Sequence, residues 1–164
     1  MNSLGADRRL NRHYEPETKP GMKWHKFLIY VSLWLSALSS MGNAVTYASG
    51  APYGAEAAEV YAWYPGLSIL DKAMAAACVV LAVHAIVTRF ALAGMRASGP
   101  KKLLLLLAAT LALNVFYLIL FSVITAMPVN ELFDSSSISS LAVTAALLFY
   151  NKRYYSERSE LFVN

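Results

Sequence analysis

The chain has 164 residues, 57% of them hydrophobic, and a formal net charge of +4. That length suits one domain, and the apolar residues come in long uninterrupted runs, which excludes an ordinary soluble globular fold. In such a chain a modest positive charge reflects membrane topology, so the expected partner is membrane lipid and not nucleic acid.

Residues 1–22 form a polar arm with three arginines, Arg8, Arg9 and Arg12. They read as a topogenic charge cluster ahead of the first span. His13 and His25 read as solvated or interfacial groups. The apolar run that follows is longer than a usual signal-peptide core, so it reads as a retained helix.

Charged residues leave four long gaps, between Lys26 and Glu56, Lys72 and Arg89, Lys102 and Glu131, and Asp134 and Lys152. A spanning helix needs about 20 mostly apolar residues. The pattern predicts an all-α, integral membrane four-helix bundle over residues 23–155. Its helices lie at about 27–47, 70–95, 103–127 and 137–155, followed by a tail over 156–164. Short second and third loops make consecutive helices antiparallel neighbours in an up-down bundle.

Of the 14 Lys and Arg residues, all but Lys72 fall on one side of this arrangement. Glu56, Glu59, Glu131 and Asp134 fall on the other. Excess Lys and Arg mark the cytoplasmic side, so both termini are expected to be cytoplasmic, with Tyr53 and Asn130 outside.

In the first helix Ser32, Ser36, Ser39, Asn43 and Thr46 share one narrow face at 100° per residue. The loop after it, "ASGAPYGAEAAEVYAWYPGL", carries Tyr53, Tyr61, Trp63 and Tyr64, the aromatic type that settles at membrane interfaces. A short interfacial helix is expected at residues 55–63.

Asp71 and Lys72 are expected to open the second helix, where an acid complements the helix N-terminus. A sharper reading makes Asp71, Tyr61 and Trp63 the external mouth of a polar cavity. The second helix shows two small-residue faces. One holds Ala73, Ala77, His84, Thr88 and Ala91; the other holds Asp71, Ala75, Cys78, Ala82, Ala85 and Arg89. Small residues let helices approach closely in lipid, so this helix is expected at the centre of the bundle or as one flank of an oligomer interface. Arg89 is expected to reach back to the headgroups. Cys78 is the single cysteine, so no intrachain disulfide or cysteine metal cluster can form.

Gly99-Pro100 suits the start of the third helix, and Pro128 its end. Thr110, Asn114, Tyr117 and Thr125 share one face there. In the fourth helix Ser137, Ser140, Thr144 and Asn151 do the same, with Asp134 or one of Ser135 to Ser137 as the cap.

His84 lies in an apolar stretch, and an intramembrane ionisable residue is a functional hypothesis by default. Its expected partners are Asn114, Ser36 and Thr144. With Asn43 these five form the candidate intramembrane polar site. A neutral imidazole can donate one hydrogen bond and accept another, so the same partners could simply satisfy it.

No nucleophile elbow, phosphate-binding glycine loop, zinc-type His-Glu pair or Cys-x-x-C motif occurs. No enzyme activity, cofactor or metal is therefore expected. The first functional reading is a non-enzymatic membrane protein acting through helix–helix contacts with itself or a membrane partner. The alternative is a small transporter or channel component built on His84, Asn43 and Asn114.

Three segments, "GMKWHKFLIY", "FDSSSISSL" and "YNKRYYSERSELFVN", together resemble small four-helix membrane proteins of unknown function from Gram-positive bacteria. The resemblance implies a bacterial cytoplasmic membrane location and no particular activity.

Overall fold

The computed structural model describes residues 21–128 and 135–163. Its described elements are all helical. The first long helix is continuous through α1 (Lys23–Phe27), a π turn (Leu28–Ser32) and α2 (Leu33–Ser49). The π turn ends at Ser32, so the polar stripe beyond it keeps its α-helical spacing. Gly50 closes α2 with φ 70°, a left-handed cap that favours glycine.

A 3-10 turn (Ala51–Glu56) leads into the short helix α3 (Ala57–Trp63), where the sequence predicts a short helix over 55–63. The second long helix, α4 (Pro65–Ala93), starts earlier than expected. Pro65 occupies the first turn, where its missing N–H costs no hydrogen bond, so the helix takes in residues the sequence assigns to the end of the loop. Asp71 consequently lies well inside α4 and not in the first turn, which removes its expected role at the helix N-terminus.

The third long helix, α5 (Ser98–Thr125), ends at Ala126, whose φ of 56° breaks the helix two residues before Pro128. The fourth, α6, runs Ser135–Ser156. The capping role of Asp134 and of the Ser135 to Ser137 side chains, and the positions of Asn130 and Glu131, lie outside the described residues.

Three helices are long and apolar enough to cross a membrane: the one that begins at Lys23, then α4 and α5. The expectation of four spans is met only in part. α6 has the length, but its leading serines and its Asn151-Lys152-Arg153 end dilute its apolar middle. Large apolar side chains such as Tyr30, Leu35, Leu38, Val80, Phe90, Leu105 and Val123 face outward on the three apolar helices. In water so large an apolar surface would be a liability; in a bilayer it is the solvent-facing side.

The first long helix packs on α4, α4 on α5, and α5 on α6. The second helix is thus central, as predicted, and it buries Asp71, Ala75, Cys78, Ala82 and Ala85 along one of its small faces. The opposite face is buried only toward its end, at Thr88 and Ala91, whereas Ala73 is exposed and Ala77 half-buried. The helix is flanked by two neighbours, but it is sandwiched tightly on one face only.

The main core joins Leu28, Leu33 and Ala37 to Leu81, Ala85, Leu92, Leu103 and Leu106, with Tyr154, Tyr155 and Phe162 closing it at the basic end. A smaller core of Ala44, Met74 and Cys78 lies toward the other end, with Tyr47, Leu113 and Tyr117 against it.

The turn between α4 and α5 relies on Gly99. A Cβ there would meet the Leu92 backbone nitrogen at 3.1 Å and the Ala91 carbonyl carbon at 3.2 Å. Backbone cannot swing aside as a side chain can. Gly99→Ala is expected to cost about 1–3 kcal/mol by overpacking, read as a lower midpoint in thermal melting in detergent. Gly42→Ala, with no neighbour within 4 Å of the added Cβ, serves as the neutral control.

Candidate functional site

A polar groove runs between the first and fourth long helices. Among the described residues these two pack less closely than any consecutive pair. The opening between them has a volume of about 480 Å³ and is lined by Ser32, Ser36, Ser39, Ser40 and Asn43 from the first helix. Thr110 and Asn114 line it from α5, and Ser140 and Thr144 from α6. Parts of the three polar stripes thus converge on one opening, whereas Thr46, Tyr117, Thr125 and Asn151 lie outside it.

Part of this polarity is satisfied locally. Thr110 Oγ1 donates to the Leu106 carbonyl at 2.9 Å, Asn114 Nδ2 to Thr110 at 2.8 Å, and Thr144 Oγ1 to Ser140 at 2.8 Å. Such bonds to the preceding turn are common for these residues inside helices. The side chains of Ser36, Ser39, Ser40 and Asn43 make no hydrogen bond to another described residue. Asn114 keeps its side-chain carbonyl free.

Four of the five candidate residues, Ser36, Asn43, Asn114 and Thr144, therefore come together, and His84 does not join them. His84 Nε2 lies 3.1 Å from the Lys102 carbonyl, to which the ring N–H donates across the α4–α5 seam. The reason is register. Asn114 is twelve residues further along α5 than Lys102, about 18 Å at 1.5 Å per residue. An imidazole level with Lys102 cannot span that distance.

A second cluster lies at the opposite end of the bundle from the basic segments. Asp71 is 1% exposed. Both its oxygens accept a phenolic proton, Oδ2 from Tyr61 and Oδ1 from Tyr117, each at 2.9 Å. Tyr53 packs edge-on against Tyr61 with ring centroids 5.4 Å apart, and Tyr47 lies 5.1 Å from the Tyr117 ring. The Tyr53 hydroxyl is buried without a hydrogen-bond partner. Trp63, expected beside Asp71 and Tyr61, is instead 72% exposed and takes no part in the cluster. The carboxyl group bridges the loop helix α3, the second helix and the third. Its chemistry here is acceptance of two hydrogen bonds from neutral hydroxyls, with no ion pair to a cation among the described residues.

Tyr117, Tyr53 and Tyr47 were not singled out for this cluster from sequence. The signal that finds Tyr117 is hairpin counting. Equal steps outward from the turn after Ala93 bring Asp71 level with the stretch that contains Tyr117. The same count brings His84 level with Leu107, one turn and more beyond Lys102 and well short of Asn114.

A third cluster joins the ends of the described chain. Trp24 Nε1 donates to Asn151 Oδ1 at 2.9 Å, and Asn151 Nδ2 donates to the Leu147 carbonyl. His25 Nδ1 and the Tyr155 hydroxyl share a hydrogen bond of 2.9 Å. Tyr154 donates to the Gly21 carbonyl. His25 is 2% exposed and packs against Tyr155 and Phe162, so the expectation of a solvated or interfacial histidine is corrected. The apolar wall that Phe162 supplies lies far away in sequence, where no local pattern reports it. His13 lies outside the described residues. The segments "GMKWHKFLIY" and "YNKRYYSERSELFVN" are thus physically interlocked.

Arg89 rests its guanidinium over Trp34 at 5.1 Å and Phe90 at 4.8 Å. It is held by ring faces along its reach toward the basic end. No cluster of His, Cys, Asp and Glu that could hold a metal ion occurs among the described residues. Comparison with protein-family models, with curated proteins and with solved structures finds no match to this chain.

Proposed function

We propose that this is a non-enzymatic integral membrane protein whose polar groove accepts a further transmembrane helix, from a second copy or from a membrane partner. In this reading α6 crosses as a fourth span, escorted by α5, and the basic end faces the cytoplasm under the positive-inside rule. The resemblance to small membrane proteins of Gram-positive bacteria agrees with a bacterial cytoplasmic membrane.

The observation that carries the reading is the row Ser36, Ser39, Ser40 and Asn43, unpaired within the described chain and open between two helices. Lipid tails cannot hydrogen-bond these groups. Another helix can, with interhelical bonds worth about 0.6 kcal/mol each on average, and small residues allow the close approach that adds packing. The transporter reading calls for an ionisable group in the opening, and His84 points away from it.

Cross-linking in native membranes tests this. Ser39→Cys, in a Cys78→Ser background, is expected to trap a second polypeptide with a short bifunctional thiol reagent. Leu105→Cys, on the outward face of α5, is expected to trap none. Labelling of Ser39→Cys by a membrane-impermeant thiol reagent from either side, with no adduct, would indicate a water-filled crevice and overturn the proposal.

A further inference from the structure

The interlocked basic end holds a cleft of about 530 Å³ bounded by Lys23, Arg153, Arg158, Trp24, Tyr150 and Glu157. Three cations face one acid, so the cleft carries a surplus of positive charge. Arg158 is already positioned. Its Nη1 donates to the Tyr154 carbonyl at 3.0 Å, and its guanidinium lies over the Tyr154 ring at 3.9 Å. Its Nε is buried and lacks a partner. Glu157 accepts from Arg153 at 3.2 Å and lies 3.5 Å from Arg158 Nη1, so it holds both arginines at one wall. Lys23, on the opposite wall, is exposed and makes no ion pair with a described residue.

The rim is aromatic. Trp24 meets Tyr150 edge-on at 5.1 Å, and Phe27 and Phe149 continue the surface outward as exposed apolar rings. Trp and Tyr at the end of a span mark headgroup level. Arg158 is held in place with its Nη2 left over, and a fixed guanidinium beside a lysine is a pair of cations that suits a phosphate.

The geometry points to a binding site for the phosphate headgroup of an anionic phospholipid in the leaflet on the basic side. The headgroup sits between Lys23 and Arg158, and the acyl chains run along Phe27 and Phe149. A free phosphate would use the same cations but gain nothing from the aromatic rim.

The test uses the full chain with Trp34→Phe and Trp63→Phe, which leaves Trp24 as the only indole. It is reconstituted in phosphatidylcholine vesicles that contain an equal, small fraction of either brominated phosphatidylglycerol or brominated phosphatidylcholine. Trp24 fluorescence is expected to be quenched more strongly by the anionic lipid. Lys23→Gln is expected to weaken that preference about fivefold, the factor for one basic residue at an anionic surface. Lys23→Arg is expected to keep it. Lys23 bonds no described side chain, so folding is not at stake in this pair. Equal quenching by the two lipids, or a preference unchanged in both Lys23→Gln and Arg158→Gln, overturns the proposal. Excess inorganic phosphate should leave the preference intact; if it erases the preference, the cleft is a site for soluble phosphate and the lipid assignment fails.

Discussion

Asp71→Ala is expected to lower stability by about 2–4 kcal/mol, because it deletes two hydrogen bonds to a charged group and strands two phenols. Asp71 is almost fully buried, and Tyr61 and Tyr117 each aim their hydroxyls at it from 2.9 Å. The two partners are separable. Tyr117→Phe removes one donor and leaves the other, so it is expected to cost about half as much. The three variants also differ in kind. Tyr61 is the contact between the loop helix and the bundle, so Tyr61→Phe should release the loop to proteolysis with little change in the melt. Tyr117 joins the second and third helices, so Tyr117→Phe should move the melt itself. Thermal unfolding in detergent and limited proteolysis of reconstituted protein measure the two effects. An Asp71→Ala protein that melts like the parent would mean that the carboxyl group and its two phenols are not joined.

The second large effect is one of volume. Ala82→Leu is expected to cost about 1–3 kcal/mol, since Ala82 is buried where the second helix meets its neighbours and added methylenes have nowhere to go. Ala77→Leu is expected to be nearly neutral. Ala77 lines a void of about 80 Å³ between the second and third helices, with Met74, Leu113 and Tyr117 around it. A leucine there fills space that is already open. Melting midpoints of the two variants should therefore separate clearly. Equal losses would place both alanines in close contact, and a tolerant Ala82→Leu would show that the buried small face does not set the helix spacing.

The helices themselves were legible in the sequence because gaps between charges report helix length directly, and most boundaries fall within a few residues of the expected ones. The exception, Pro65, shows a residue whose meaning depends on which side of it the helix lies. Polar stripes were legible for the same reason as the helices, since angular spacing within one helix is a local property. Ser36, Asn43, Asn114 and Thr144 converge as their stripes suggest. What failed was depth. The pairing of His84 with Asn114 takes the two to lie at one level, whereas the short turn after the second helix sets His84 nearer the start of the third, where its ring reaches the Lys102 carbonyl. The cluster around Asp71 needed both the register and the return of the loop helix, and only Tyr61 carried a local hint. The burial of His25 was beyond local reading altogether, because its walls come from Tyr155 and Phe162.

That closure has a consequence for biosynthesis. Trp24 and Asn151 are 127 residues apart along the chain, and His25 and Tyr155 are 130 apart. A ribosome releases the first pair of rings long before it makes their partners. While the second and third helices are being made, the imidazole and indole have no mates, and the core beneath them stays uncapped. They are satisfied only when the last helix and the aromatic segment after it arrive. The contacts form a latch that residues 151–162 must close. A nascent polypeptide stalled after the third helix would present an unfilled seat at its basic end, a local and chemically distinct mark of incompleteness for the cell's proteases to find.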